Sequence, residues 1–84
     1  MGAGFLIKQF NSIGGISSVI AGVVESGEIS EGSVGTTTKG KRFTVVKIEK
    51  DYNQIRKAGE GDKVNISVKY LSRSDIRISE ILQF

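Results

Sequence analysis

The chain has no cysteine, no histidine, no proline and no tryptophan. Each absence removes a possibility. Without cysteine and histidine there are no disulfides, no zinc sites of the usual kind and no imidazole acid–base catalysis. No metal and no cofactor is therefore expected. A disulfide-free chain fits the cytoplasm. Long apolar runs are also missing, and nothing approaches the ~20 residues of a membrane span. The N-terminal run Phe5–Ile7 is too short for the core of a signal peptide. No contact with a membrane is expected.

What is present, in quantity, is glycine: eleven in 84 residues. With no proline available, glycine must supply the turns that need positive φ. Residues 1–84 make a single domain, and a chain this short buries only about 60–65% of its unfolded surface. Twelve Lys and Arg face nine Asp and Glu, a net charge of +3. That mild basic bias permits contact with nucleic acid without demanding it.

Between the glycines the apolar residues are mostly Val, Ile and Phe, which favour strands. The alternation is clearest at Val64–Tyr70, where Val64, Ile66, Val68 and Tyr70 share one face and Asn65, Ser67 and Lys69 the other. Phe5–Phe10 reads as a first strand. Ser18–Ser26 reads as a second, with Gly22 inside it marking a bend or a close backbone approach. Ser33–Thr38 reads as a short third strand, followed by a hairpin turn at Lys39-Gly40. In a fourth strand, Arg42–Lys50, Val45 and Ile48 cannot both point inward at strict period two. A bulge near Val46 reconciles them. Val64–Tyr70 is the fifth strand and Glu80–Phe84 the sixth. Asp51–Gly61 reads as a long loop with Ile55 and Ala58 tucked beneath it, a short amphipathic helix being the other option. Ser72-Arg73-Ser74-Asp75 has the spacing of a capped turn. Six short strands make an antiparallel barrel or sandwich, and a barrel removes the edges that a chain without proline must otherwise guard.

The order of particular residues resembles a known family. "IGGI" at Ile13–Ile16, Val19, "G-x-V-E-S-G" at Gly22–Gly27, then Ile29 and Gly32 are similar to the second domain of the translational GTPases. The likeness is greatest to elongation factor one alpha of archaea and eukaryotes, then to elongation factor Tu. Val45, Ile48, Ile55, Ala58, Gly61-Asp62-Lys63-Val64, Val68-Lys69, "S-x-x-D-I-R" at Ser72–Arg77 and Ile81 continue it over nearly the whole chain. The resemblance implies an all-β fold, a small closed six-stranded antiparallel Greek-key barrel. Opening on Met and ending just after the last strand, the chain reads as a free-standing copy of that domain; a piece of a larger factor is the other reading.

In the elongation factors this domain helps to hold the aminoacylated end of tRNA and packs on a GTPase domain. Here no G-x-x-x-x-G-K-[ST] loop occurs, so GTP binding or hydrolysis by this chain alone is not expected. By resemblance, Glu49 occupies the place of a Glu that packs near the terminal adenosine of tRNA. Tyr52 stands where the bacterial factor has a basic residue. Val23 stands where the family often has Arg, Ser17 and Ser79 where it often has Gly, and Gly32-Ser33 replaces its usual pair.

The candidate sites follow. Lys39, Lys41 and Arg42 form the tightest basic group, with Lys47 and Lys50 further along the strand. They can contact phosphates at a hairpin tip or simply solvate a turn and guard a strand. Glu49 and Tyr52 can receive a nucleotide end, the Tyr stacking on a base and the Glu accepting from a ribose hydroxyl; ordinary surface polarity is the other reading. The four Phe lie in predicted strands and are expected in the core. Ten serines are present without a histidine to activate one, and no catalytic role is assigned. Two functions remain open: a translation-related module that contacts RNA (tRNA or ribosomal RNA), and a barrel that docks on a larger protein partner.

Overall fold

The computed structural model describes residues 2–14 and 17–84. Among them are nine strands and one turn of 3₁₀ helix: β1 (Gly4–Gly14), β2 (Ser17–Ser26), β3 (Glu28–Ser30), β4 (Val34–Thr36), β5 (Arg42–Lys50), β6 (Asn53–Ile55), β7 (Lys57–Gly59), β8 (Lys63–Lys69), the turn Arg73–Asp75 and β9 (Ile81–Gln83). Six strands close a ring in the order β1-β2-β8-β5-β4-β9 and back to β1, every described pairing antiparallel. These are the six strands predicted from the sequence. β6 extends the sheet beyond β5, and β3 pairs with β7 in a separate ribbon.

Inward-facing residues of the ring build one core. Phe5 and Ile7 of β1, Ile20 and Val24 of β2, Phe43, Val45 and Ile48 of β5, Val64, Ile66 and Val68 of β8, and Leu82 of β9 are all buried. Full burial of each such side chain stabilises the fold by about 1.5–3 kcal/mol. Phe10 and Phe84 pack at the margin of this core. Val46 is the bulge that lets β5 bury both Val45 and Ile48: Val45 pairs with Val68, but Lys47 pairs with Ser67. At Gly22 a Cβ would meet the Leu6 carbonyl and lie 2.7 Å from the Phe5 ring. The close approach predicted there is between β2 and β1.

Three expectations need correction. β1 continues past Phe10 to Gly14, paired with β2 throughout. The segment 51–61 is neither a plain loop nor a helix, because it contains β6 and β7. Ile55 and Ala58 are held down as expected, Ala58 by pairing with Ile29 of β3. Tyr70 does not continue the buried face of β8. That strand ends at Lys69, and a φ of 72° at Tyr70 turns the ring out to 55% exposure. Leu71 drops into the core instead, its carbonyl accepting from the buried Ser18 hydroxyl at 3.0 Å.

The predicted turn at Lys39-Gly40 closes β4 onto β5. Thr37 N–H donates to the Lys41 carbonyl, Gly40 N–H donates to the Thr37 carbonyl, and Gly40 takes φ 88°. Ser72–Asp75 also forms as predicted, with the Asp75 carboxylate accepting from the Ser72 N–H at 2.8 Å and from its hydroxyl at 3.0 Å.

Candidate functional site

β5 organises the candidate residues but does not bring them to one place. Lys39, Lys41 and Arg42 lie at its start, Lys47 and Glu49 on its outer face near its end, and Tyr52 in the turn that follows. At about 3.3 Å per residue, Arg42 and Glu49 stand roughly 20 Å apart. The basic tip and the Glu49–Tyr52 region are thus two sites on opposite ends of a strand.

At the tip, much of the polarity is spent on the protein itself. Thr38 donates its N–H and its hydroxyl to Glu80 Oε2, at 2.6 and 2.9 Å, and Glu80 Oε1 accepts from Arg77 N–H at 2.9 Å. Partial burial pushes the Glu80 carboxyl up, but these hydrogen bonds and the nearby Lys39 charge outweigh it and hold it below its ordinary value. Lys39 Nζ donates to the Ser74 carbonyl at 3.0 Å. The Asp75 carboxyl is also lowered, chiefly by the Ser72 N–H, with Lys41 and Lys39 adding to it. Lys41 and Arg42 are exposed, and among the described residues neither has a carboxylate at ion-pair distance.

At the other end, Lys50 pairs with Asn53, leaving Asp51 and Tyr52 as a two-residue turn. Both have positive φ, 52° and 68°. That is the pattern of a type I′ hairpin, which ordinarily recruits Asn-Gly or Asp-Gly. Here a tyrosine takes the glycine position, with its side chain fully exposed. Glu49 faces outward beside Asn65 of β8 and Gln54 of β6, and its Oε2 lies 3.7 Å from Lys47 Nζ. Lys50 is committed elsewhere: its Nζ bonds Asp62 Oδ1 at 2.8 Å, while Asp62 Oδ2 accepts from Gly59 N–H at 2.8 Å. This ties β5 to the loop before β8. The Asp62 carboxyl is lowered mainly by Lys50, and Lys50 is raised mainly by Asp62.

Two depressions meet here. One, of about 320 Å³, is lined by Glu49, Asp51, Tyr52 and Asn65. The other, of about 370 Å³, shares Glu49, Asp51 and Asn65 and continues over Ala21–Val23 to Lys8 and Lys63. The result is an open trough across β5, β8 and β2, with Tyr52 at one rim. Asp51, Asn65, Lys8 and Lys63 were not among the candidates read from the sequence. No local motif marks them; the register that sets Asn65 beside Glu49 and Lys63 beside Val23 brings them together.

No protein-family model matches the chain. It is 39% identical over 72 residues to elongation factor 1-alpha of Euglena gracilis, covering 84% of this chain and 16% of that protein. It is 41% identical over 72 residues to elongation factor 1-alpha of Absidia glauca, with the same coverage. The chain thus spans about a sixth of the length of these relatives. The crystal structure of translation elongation factor SelB from Methanococcus maripaludis, in its apo form, superimposes with a TM-score of 0.91 at 18% identity, covering 99% of this chain and 19% of that one. The chain therefore has the fold of a translation-factor β-barrel domain. By sequence it resembles the barrel of the translational GTPases, with elongation factor 1-alpha among its homologues. Among the described residues no helix is long and apolar enough to cross a membrane.

Proposed function

We propose that this barrel is a non-catalytic, cytoplasmic module of the translation apparatus that receives a single-stranded RNA end in the trough beside Tyr52. The observation that carries this reading is the posture of Tyr52. Left-handed backbone costs an L-residue about 1–2 kcal/mol, and such strain gathers at functional sites. The strain here presents a bare aromatic face next to a groove. Stacking of a base on such a face contributes about 1–3 kcal/mol. Glu49 can accept from ribose hydroxyls, and Asn65 can both donate and accept. Lys41 and Arg42, at the far end of β5, supply backbone contacts to a longer RNA rather than to the same nucleotide. Relatives named as elongation factors favour a tRNA acceptor end or ribosomal RNA as the ligand.

The test is a fluorescence-anisotropy titration with a duplex carrying a single-stranded 3′ overhang and with its blunt counterpart. The overhang should bind tighter, and Tyr52→Ala should remove the difference. Absence of binding by the wild-type domain even at low salt, where electrostatic attraction is strongest, overturns the reading.

One observation favours docking on a protein partner instead. Ile81, Leu6 and Val23 lie in one row across the outer face of β9, β1 and β2, Leu6 pairing with both neighbours. Ile81 is an exposed large apolar residue. Affinity for a protein that persists at high salt and is lost in Ile81→Ser would support that role.

A further inference from the structure

β9 is lightly held. Ile81–Gln83 is three residues long, and Leu82 is its one buried side chain. On the β1 side it pairs with Gly4, Phe5 and Leu6. On the β4 side it has a single described pairing, Gln83 with Thr36. The chain enters β9 through a tight turn, in which Glu80 N–H donates to the Arg77 carbonyl at 3.0 Å. The third residue of this turn is Ser79, with a φ of 75°. That is the signature of a type II turn, which calls for glycine at this position, and a serine there is strained. The strain continues into the ladder. The Ile7 carbonyl accepts from Ser79 N–H at 2.8 Å, while Ile7 N–H donates to the Glu80 carbonyl at 2.9 Å. Two residues therefore stand opposite one, a bulge whose first residue is left-handed and is normally glycine. Ile76 before the turn and Leu82 after it are both buried, whereas Arg77, Ile78 and Ser79 are exposed. The turn is a strained hinge between the body of the barrel and its last strand.

We infer that β9 exchanges between two copies of this chain, each laying Glu80–Phe84 between β1 and β4 of the other. Strand exchange reuses contacts already present in the monomer, and a short hinge under strain invites it. When the turn opens, Glu80 N–H leaves the Arg77 carbonyl and takes the place of Ser79 N–H on the Ile7 carbonyl. The bulge becomes a regular rung and Ser79 leaves the left-handed region. The turn's own bonds, including Arg77 N–H to Glu80 Oε1, lie at the surface, where water replaces them. Leu82 in the core, Phe84 against Phe43, Gln83 beside Thr36 and Glu80 on Thr38 are all made again. A slot with those four requirements is met in full by a second copy of this chain. Opened, residues 77–80 reach about 13 Å, so the two barrels lie side by side. Neither Tyr52 nor the residues lining the trough belong to the exchanged segment. The dimer is thus a bivalent form of the same barrel, with two troughs that one ligand chain can engage together.

A chain without cysteine makes the test direct. The Thr36→Cys/Gln83→Cys variant is refolded from urea under reductant at high protein concentration. Monomer and dimer are separated by gel filtration with light scattering, diluted, oxidised and run on a denaturing gel without reductant. The dimer fraction should run as a covalent dimer, because each bridge then joins two chains, and the monomer fraction as single chains. Protein oxidised before the urea step should stay monomeric. In the cysteine-free background, Ser79→Gly relaxes the closed turn and should lower the dimerisation constant at least about tenfold. Ser79→Val, a branched residue still worse placed at positive φ, should raise it. Far-ultraviolet dichroism of each fraction reports whether the variants fold. No dimer after refolding at high concentration overturns the exchange. So does a dimer whose oxidised form runs as single chains, which is the mark of contact without exchange, or a dimerisation constant that is the same in both Ser79 variants.

Discussion

Phe43 and Phe84 meet edge to face, their ring centroids 5.5 Å apart and their planes at 87°. The pair fits because Gly35 lies beneath it: a Cβ there would press into the Phe43 ring and come within 2.7 Å of the Phe84 ring. The seam between β4 and β9 has a single described backbone pairing, Thr36 with Gln83. Its closure therefore leans on this aromatic contact and on the Thr38–Glu80 hydrogen bonds.

Gly35→Ala is expected to destabilise the barrel by about 1–3 kcal/mol through overpacking. Urea denaturation followed by far-ultraviolet dichroism measures it. An unchanged midpoint would mean that the seam adjusts freely.

Tyr52→Gly should separate stability from binding. Glycine relieves the left-handed strain, so the unfolding free energy should rise by up to ~1 kcal/mol. RNA affinity should fall by about 1–3 kcal/mol as the stacking face is lost. Loss of both together would mark Tyr52 as structural.

Lys41→Ala/Arg42→Ala should weaken RNA binding to a similar degree for every sequence. The slope of log affinity against log salt should shrink by about one for each phosphate contact removed. Tyr52→Ala should leave that slope in place. Salt titrations of the two variants with the same oligonucleotide decide between these patterns.

Acid should loosen the ties around the tip and those that hold the loop before β8 to β5. Glu80, Asp75 and Asp62 all have lowered folded-state values. Their stabilising contribution is complete above the unfolded carboxylate values, near pH 4, and is lost as pH falls through the lower folded values. Lys50, raised by Asp62, works in the opposite sense: its contribution holds below about pH 10 and fades as pH rises through its folded value. Thermal melts across pH should show a broad plateau with a fall at each end. In Glu80→Gln the acid fall should be smaller. An identical acid limb in that variant would remove Glu80 from this account.

The six strands of the ring are legible in the sequence because alternation such as Val64-Asn65-Ile66-Ser67-Val68 is a local signal. The bulge at Val46 is legible as a break in that alternation. β3, β6 and β7 are as short as β4 and β9, three residues each, but no threonine run or adjacent apolar pair such as Ile81-Leu82 marks them; they are extended because partners pair with them, as Ile29 does with Ala58. Tyr70 misleads because period two has no means of marking where a strand ends. Of the trough, only Glu49 and Tyr52 are legible, through family resemblance. Lys8, Asp51, Lys63 and Asn65 become neighbours through register, which is a property of the closed sheet.

Ala3 and Phe84 exchange two backbone hydrogen bonds, 3.2 Å from Ala3 N–H and 2.8 Å from Phe84 N–H. The path into the barrel and the path out of it therefore run side by side. A domain threaded this way hangs from a host polypeptide as a bead from one point, so it can be grafted at a single surface loop without prising the host apart. The same proximity makes the barrel a candidate for circular permutation: a short linker from Phe84 to residue 2, with new ends opened at the exposed Gly40 tip, keeps every rung of the ring while changing the order in which its strands are synthesised.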